Sequence, residues 1–175
     1  FMSGVANYFS KTGIARGWFI IVFSVVWLGS NIVMFTRFAE QERNDAIKVY
    51  GDVVQFAIPA AGLVGSLAIG DVVGASQFAW GCIANLGVTT ALKQSIDTTR
   101  PNGLPHSFPS GHTAFAFQGA VYIARRFGWK LGIIAIILAC LVGLSRIDAK
   151  MHYPRDVIAG AVIGTACSLV FTRPR

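Results

Sequence analysis

Charged residues are scarce in this sequence. Only 13% of its 175 residues are Asp, Glu, Lys or Arg, about half the share in an average soluble domain, whereas 54% are hydrophobic. This shortage excludes an ordinary soluble protein and predicts an integral membrane protein. Acidic residues are the rarer sign, since 8 of them face 15 basic residues and leave a formal net charge of +7. The basic residues are scattered at segment ends and form no stripe, so we expect no nucleic-acid partner.

Cysteine is also rare. The three cysteines, Cys82, Cys140 and Cys167, each lie inside an apolar segment, and no two of them have CxxC spacing. An odd and dispersed set argues against a disulfide framework and against a zinc site. We interpret all three as small buried hydrophobic residues.

Six apolar segments dominate the chain. Each is near the roughly 17–25 residues that a helix needs to cross a bilayer. Within lipid a backbone has to satisfy its own hydrogen bonds, and these runs lack the alternating polarity of barrel strands, so we predict helices. The sequence therefore predicts an all-α, six-transmembrane-helix bundle that forms a single domain over residues 1–175. The predicted segments are 17–35, 53–69, 72–92, 110–124, 131–144 and 157–171.

Several details of these segments lead to further expectations. The first segment is too long for the apolar part of a signal peptide, so we expect it to remain as a span. Phe1 is interpreted as an expression remnant in front of a natural start at Met2. The fourth and fifth segments reach spanning length only if the motifs at their ends continue the helices. Gly160 and Gly164 fit either close helix packing or the general frequency of glycine in membrane spans.

The few polar groups of the second half are concentrated in three stretches: KQSIDTTRP at 93–101, PSGH at 109–112 and SRIDAKMHYPRD at 145–156. Ionisable groups are costly within a membrane, so such a concentration indicates a functional site. An even number of crossings separates the loops that carry these stretches, which places all three on one face of the membrane.

The residues suggest how this site acts on an anion. Ser110 follows a proline and precedes an apolar run, so it is predicted to cap a helix whose N-terminus attracts anions. Lys93 and Arg100 share a helix face if the third helix continues that far, and the guanidinium fork suits phosphate oxygens. Asp156 follows His152 by one helical turn, which predicts a hydrogen bond that orients the imidazole. Each feature alone also fits a plain cap, a snorkelling cation or an interfacial histidine.

The spacing of the three stretches resembles the three-part signature of the type 2 phosphatidic acid phosphatase superfamily. The matching pattern is Lys93-x6-Arg100-Pro101, then Pro109-Ser110-Gly111-His112, then Ser145-Arg146-x5-His152-x3-Asp156. The resemblance implies a helical core of the kind shared with the vanadate haloperoxidases. Because those haloperoxidases are soluble, the six apolar segments favour the membrane lipid phosphatase branch.

The resemblance also implies a role for each motif residue. It makes His152 the nucleophile that forms a phosphohistidine, Asp156 its orienting partner, and His112 the general acid and then the general base. It implies a phosphate cradle and neither a metal nor another cofactor. The cradle consists of the side chains of Lys93, Arg100 and Arg146 with the backbone of Ser110 and Gly111. His106 matches no catalytic position and is interpreted as a loop residue.

The expected activity is removal of a terminal phosphate from a membrane lipid phosphate or diphosphate. Candidate substrates from bacterial relatives are undecaprenyl diphosphate, phosphatidylglycerol phosphate, phosphatidic acid and lipid A. Two alternatives remain open at this stage, a lipid phosphotransferase that uses the same phosphohistidine and a non-catalytic lipid-binding or transport module. Beyond the lipid substrate and the bilayer, the sequence leaves the oligomeric state open.

The basic residues also predict an orientation. When the three cations of the site are set aside, Lys and Arg are more frequent on the face that carries both termini. The positive-inside rule then predicts cytoplasmic termini. Together with the bacterial lipid phosphatase branch that the resemblance implies, this orientation leads us to expect a multi-pass protein of the bacterial inner membrane whose active site faces the periplasm.

Overall fold

Five helices make up most of residues 45–175, the part of the chain that the computed structural model describes. They are α1 (Asp45–Ala68), α2 (Val72–Ser95), α3 (Gly111–Phe127), α4 (Trp129–Asp148) and α5 (Pro154–Phe171). Each corresponds to one of the last five predicted segments, so the all-helical prediction is confirmed for these residues. The predicted count of six also includes segment 17–35, which lies outside the described residues.

Three of these helices, α1, α4 and α5, are long and apolar enough to cross a membrane. The helix α3 has 17 residues and is the shortest of the five. It packs mainly against α4 and α5, while α2 packs against α5 and α3. The large hydrophobic side chains that are exposed lie on α1, α2, α4 and α5 and on the connecting segments, and none lies on α3. The helix α3 is therefore the central helix of the bundle, and the others present the apolar surface.

Several helices extend beyond the predicted apolar segments. The helix α1 begins at Asp45, whereas the apolar segment begins at residue 53. The helix α2 ends at Ser95 instead of residue 92, and α4 continues to Asp148 instead of residue 144. Hydropathy detects the part of a helix that suits lipid, whereas the helix itself continues as long as its backbone hydrogen bonds do. The fifth segment, 131–144, was expected to reach spanning length only if its motif residues continue the helix, and α4 does continue through them to Asp148.

The contact between α3 and α5 is made by their backbones. A Cβ atom added at Gly164 would overlap the carbonyl oxygen of Ala114, and one added at Gly160 would overlap the carbonyl oxygen of Ser110. Of the two interpretations of this glycine pair, close helix packing is therefore the one that the structure supports. The consequence for the site is that the start of α3 lies directly against α5.

An ion pair holds the opposite end of the bundle together. The carboxylate of Asp71 caps α2 by accepting the N–H of Gly74 at 2.9 Å, and it accepts Nε of Arg126 at 2.8 Å. Hydrogen bonds from Arg126 and from the Gly74 N–H lower the pKa of Asp71. Arg126 also donates to the carbonyl of Arg173 at 2.9 Å, and Arg125 donates to that of Thr172 at 2.6 Å. The end of α3 is thus tied to the α1–α2 turn and to the C-terminal segment.

Candidate active site

A cavity of about 430 Å³ lies between α1, α2 and α3 and brings together residues from all three motif stretches. Its polar end is lined by five of the eight predicted site residues, Lys93, Arg100, Gly111, His112 and His152. Its other walls include the rings of Phe56 and Phe115 and the side chain of Leu86, together with four polar or sulfur-bearing residues: Gln55, Cys82, Asn85 and Thr89. The cavity therefore offers cations and imidazoles beside an apolar wall.

Lys93 lies in the last turn of α2 and is bonded to the loop that follows. Its Nζ donates to the carbonyl oxygen of His106 at 3.0 Å, while Nδ1 of His106 lies 3.1 Å from the carbonyl oxygen of Lys93. This reciprocal contact fixes loop 96–110 against the end of α2. His106 is thus a loop residue, as the sequence predicted. Its contact with the end of α2 was not predicted.

Arg100 reaches the cavity from the loop. Because α2 ends at Ser95, the condition under which Lys93 and Arg100 would share a helix face is not met. The loop turns back, with the N–H of Arg100 donating to the carbonyl of Leu104 at 2.7 Å, and this path brings the side chain to the same cavity. Nε of Arg100 is buried and has no hydrogen-bond partner in the described structure, so this donor is free to bind an anion.

Ser110 caps α3 as predicted, since its Oγ accepts the N–H of Thr113 at 3.4 Å. Its own backbone N–H, however, donates to the carbonyl oxygen of Asp156 at 2.9 Å, and the residue is fully buried. The N–H of Ser110 is therefore used in joining α3 to α5 and is not free for phosphate, contrary to its predicted place in the cradle. Gly111, one residue later, lies on the cavity wall.

Arg146 is fully buried in the last turn of α4 and is held by three groups. Its Nη1 donates to Oδ1 of Asp52 at 2.6 Å, its Nε donates to Oγ of Ser145 at 3.1 Å, and its Nη2 donates to the carbonyl of Lys48. It does not line the cavity that holds the other cations. The structure thus places this predicted phosphate ligand behind His112, paired with a carboxylate.

Asp52 is a site residue that the sequence interpretation missed. Its Oδ1 lies 3.1 Å from Nε2 of His112 and also accepts Arg146, so one carboxylate oxygen joins two motif residues. The available signal was an ionisable residue at the start of an apolar segment, which is costly without a function. Because the contacts span 60 and 94 residues of sequence, no local spacing reveals its partners.

His152 and Asp156 are neighbours, but the predicted hydrogen bond between them is not formed. Nδ1 of His152 lies 3.8 Å from Oδ2 of Asp156, and that oxygen instead accepts Oγ of Ser107 at 2.5 Å and the N–H of Tyr153 at 2.9 Å. The helix α5 begins only at Pro154, so Asp156 occupies its first turn and caps the N–H of Tyr153. Nδ1 of His152 and Oδ1 of Asp156 are both buried without a hydrogen-bond partner in the described structure.

His152 is suited to act as a neutral base or nucleophile. The residue is 2% exposed. Burial, together with the positive charges of Arg100 and Lys93, lowers the pKa of His152 from its usual 6.5 to about 4. The imidazole therefore stays unprotonated at neutral pH, and one ring nitrogen keeps a free electron pair.

The site and the fold define a helical membrane protein with a cavity lined by cations and histidines. Residues 78–174 match the sequence model of the PAP2 superfamily. The chain belongs to this superfamily, which confirms the family predicted from the three motifs. The matched range contains all eight predicted site residues and does not include Asp52.

Particular relatives agree with this membership. The chain is 33% identical to a lipid A 4'-phosphatase of Helicobacter pylori over 134 residues, 70% of this chain and 67% of that protein. It is 37% identical to an undecaprenyl-diphosphatase of Sulfolobus acidocaldarius over 70 residues, 40% of this chain and 34% of that protein. The fold is similar to the crystal structure of Aquifex aeolicus LpxE, with a TM-score of 0.65, 23% identity and coverage of 73% of this chain and 83% of that one.

Proposed function

We propose that this protein is a membrane lipid phosphatase that removes a terminal phosphate through a phosphohistidine at His152. The observation that carries the proposal is the single cavity in which His152, His112, Lys93 and Arg100 meet. Two histidines supply a nucleophile and a proton-transfer group, and two cations supply the charge that a phosphoryl group needs in its transition state.

The reaction proceeds in two balanced steps. In the first, the free electron pair of His152 attacks phosphorus, the bond from phosphorus to the lipid oxygen breaks, and His112 gives its proton to that oxygen. In the second, His112 takes a proton from water as the water oxygen attacks phosphorus. The P–N bond then breaks, its electrons return to His152, and inorganic phosphate leaves.

The remaining groups stabilise the charges that these steps create. Phosphorylation makes the His152 ring cationic, and the buried carboxylate of Asp156 is 3.8 Å away to compensate that charge. Lys93 and Arg100 bind the phosphoryl oxygens. Gly111, close to the Lys93 side chain at the start of α3, lets the substrate approach the helix N-terminus.

A lipid substrate fits the shape of the cavity. Its cationic end accepts a phosphate, while the rings of Phe56 and Phe115 and the side chain of Leu86 offer apolar contact. The relatives named above act, by their names, on lipid A and on undecaprenyl diphosphate, and phosphatidylglycerol phosphate and phosphatidic acid complete the candidates. In the proposed setting the protein lies in a bacterial inner membrane, with cytoplasmic termini and a periplasmic site.

Phosphate release from the purified protein tests the proposal. The four candidate lipids are assayed in detergent with and without EDTA, and with and without an acceptor lipid. We expect release from at least one lipid, no loss of rate in EDTA because the site's own cations supply the charge, and inorganic phosphate as the product in the presence of the acceptor. Failure to release phosphate from any lipid contradicts the proposed activity, and a rate that EDTA removes contradicts the metal-free mechanism.

The pKa of His152 leads to an expected pH dependence. The neutral form of His152 is the nucleophile. An ordinary histidine becomes protonated below about pH 6.5, whereas His152, with its pKa lowered to about 4, stays neutral down to that pH. The His152 contribution to the acid limb of kcat/KM is therefore expected near pH 4. In Arg100→Gln, the loss of one neighbouring cation should move this limb to higher pH on the same lipid. An acid limb that stays in place in this variant shows that the limb does not report His152.

A further inference from the structure

The first turns of α1 place one carboxylate against the catalytic region. Oδ1 of Asp52 is 3.1 Å from Nε2 of His112 and 2.6 Å from Nη1 of Arg146. The side chain of Asp52 is 44% exposed, that of His112 is 29% exposed, and that of Arg146 is 1% exposed. The carboxylate thus connects a buried guanidinium to an imidazole that faces the cavity.

The position of this carboxylate is fixed by the rest of the α1 contact. The carbonyl of Lys48, one turn earlier on α1, accepts Nη2 of the same guanidinium. Between the two lies Gly51, where a Cβ atom would overlap Oγ of Ser145 and the guanidinium of Arg146. Absence of a side chain at Gly51 therefore allows the α1 backbone to lie against the end of α4. Arg146 in turn holds the carboxylate of Asp52 within hydrogen-bond distance of His112.

The carboxylate contacts the imidazole from outside the cavity. His112 lines the cavity with Lys93, Arg100 and His152, whereas Asp52 and Arg146 do not. An ionised carboxylate only accepts hydrogen bonds, so Nε2 of His112 carries a hydrogen. The nitrogen that is left to exchange a proton with a substrate is Nδ1.

We propose that Asp52 is a positioning residue for His112: it fixes the ring and the hydrogen on Nε2, and it supplies the negative charge that the protonated imidazole needs. This inference rests on the proposed function, because it assigns a partner to the general acid of that reaction. It also extends the active site to α1, beyond the residues 78–174 that match the family.

The charges around His112 explain why such a partner is needed. Arg146 from α4, Arg100 from the α2–α3 loop, Lys93 from α2 and His152 from the α4–α5 connection are all cationic or neutral. Among residues 45–175, Asp52 is the carboxylate that is bonded to His112. A protonated imidazole among three cations is unfavourable, and an opposite charge in contact offsets much of that repulsion.

The test compares Asp52→Asn with Asp148→Asn. The asparagine keeps the size of the side chain and one acceptor oxygen but removes the charge, while Asp148 is an exposed carboxylate at the end of α4. In Asp52→Asn we expect kcat on a lipid phosphate to fall about 10- to 100-fold, with KM changed about twofold at most. The basic limb of the pH profile should move about one unit or more to lower pH, because the protonated form of His112 loses its counter-charge. Asp148→Asn should match the wild type in all three measurements.

Two results for Asp52→Asn would overturn the inference. If Asp52→Asn keeps the wild-type kcat and basic limb, Asp52 does not act through His112. If the variant instead lowers KM or is inhibited more strongly by inorganic phosphate, the carboxylate competes with the substrate and does not support the acid.

The melting temperature of each variant in detergent serves as the control for correct folding. If Asp52→Asn melts below the assay temperature, Asp52→Glu, which keeps the charge on a longer side chain, should lower kcat but retain the wild-type basic limb. A basic limb shifted in Asp52→Glu would overturn the proposal as well. A wild-type protein that releases no phosphate from any lipid is instead the failure of the proposed function, so the two failures are distinguishable.

Discussion

Replacing His152 with alanine is expected to abolish phosphate release, with kcat/KM lowered by at least about 10⁴-fold. The nucleophile is the group through which the reaction proceeds, and loss of a nucleophile in enzymes that form covalent intermediates has effects of this size or larger. Lys93, Arg100 and His112 would still bind the phosphate, so we expect KM for the residual activity, or the affinity for a lipid phosphate, to change far less. Initial rates on the preferred lipid measure the effect.

The matched control is His106→Ala. His106 contacts the end of α2 and is not part of the cavity wall, so its replacement should lower kcat/KM by less than about tenfold. A second readout is covalent labelling by a lipid with a radioactive terminal phosphate. The wild type is expected to take up an acid-labile, base-stable label that His152→Ala lacks. Normal phosphate release by His152→Ala, or an undiminished label in that variant, would rule out His152 as the nucleophile.

Replacing Gly164 with valine is expected to destabilise the bundle by about 3 kcal/mol or more and to inactivate the enzyme. A side chain at this position meets the backbone of Ala114, which cannot rotate away as a side chain would. The helix α5 carries Asp156 in its first turn, and α3 carries His112, so forcing the two helices apart separates the two halves of the site. Melting in detergent and phosphate release measure the two effects.

Gly87→Ala is the control for this substitution. Gly87 lies on α2, and a Cβ atom there meets no other group within 4 Å. Its replacement should leave both the melting temperature and the activity near the wild-type values. Equal behaviour of Gly164→Val and Gly87→Ala would show that α3 and α5 are not in backbone contact.

The parts of the molecule that could be predicted from the sequence depend on local chemistry. Each membrane helix satisfies its own hydrogen bonds, so an apolar segment predicts it without knowledge of its neighbours. The histidines and cations were found because their spacing matches a family pattern. The start of α1 was misjudged, since the residues from Asp45 to Asp52 mix charged and apolar side chains and are already helical.

The parts that could not be predicted depend on contacts between distant residues. Ser107 is bonded to Asp156 across 49 residues, and Asp52 is bonded to His112 across 60. The predicted bond between His152 and Asp156 failed because Asp156 also caps a helix, and its carboxylate oxygen is used by that cap and by Ser107. This competition could not be foreseen from the sequence, because it depends on where α5 begins.

The central position of α3 has a consequence for how the protein is made. This helix carries buried polar groups such as Gln118 and Thr113, which neighbouring helices cover in the folded bundle. An isolated α3 would expose these groups to hydrocarbon at a cost of several kcal/mol for each group left unbonded. It is joined to α4 through Gly128 alone, and α4 is strongly apolar. We therefore expect α3 to enter the bilayer as a hairpin with α4 during biosynthesis, and the active site to arise only as the helices assemble around it.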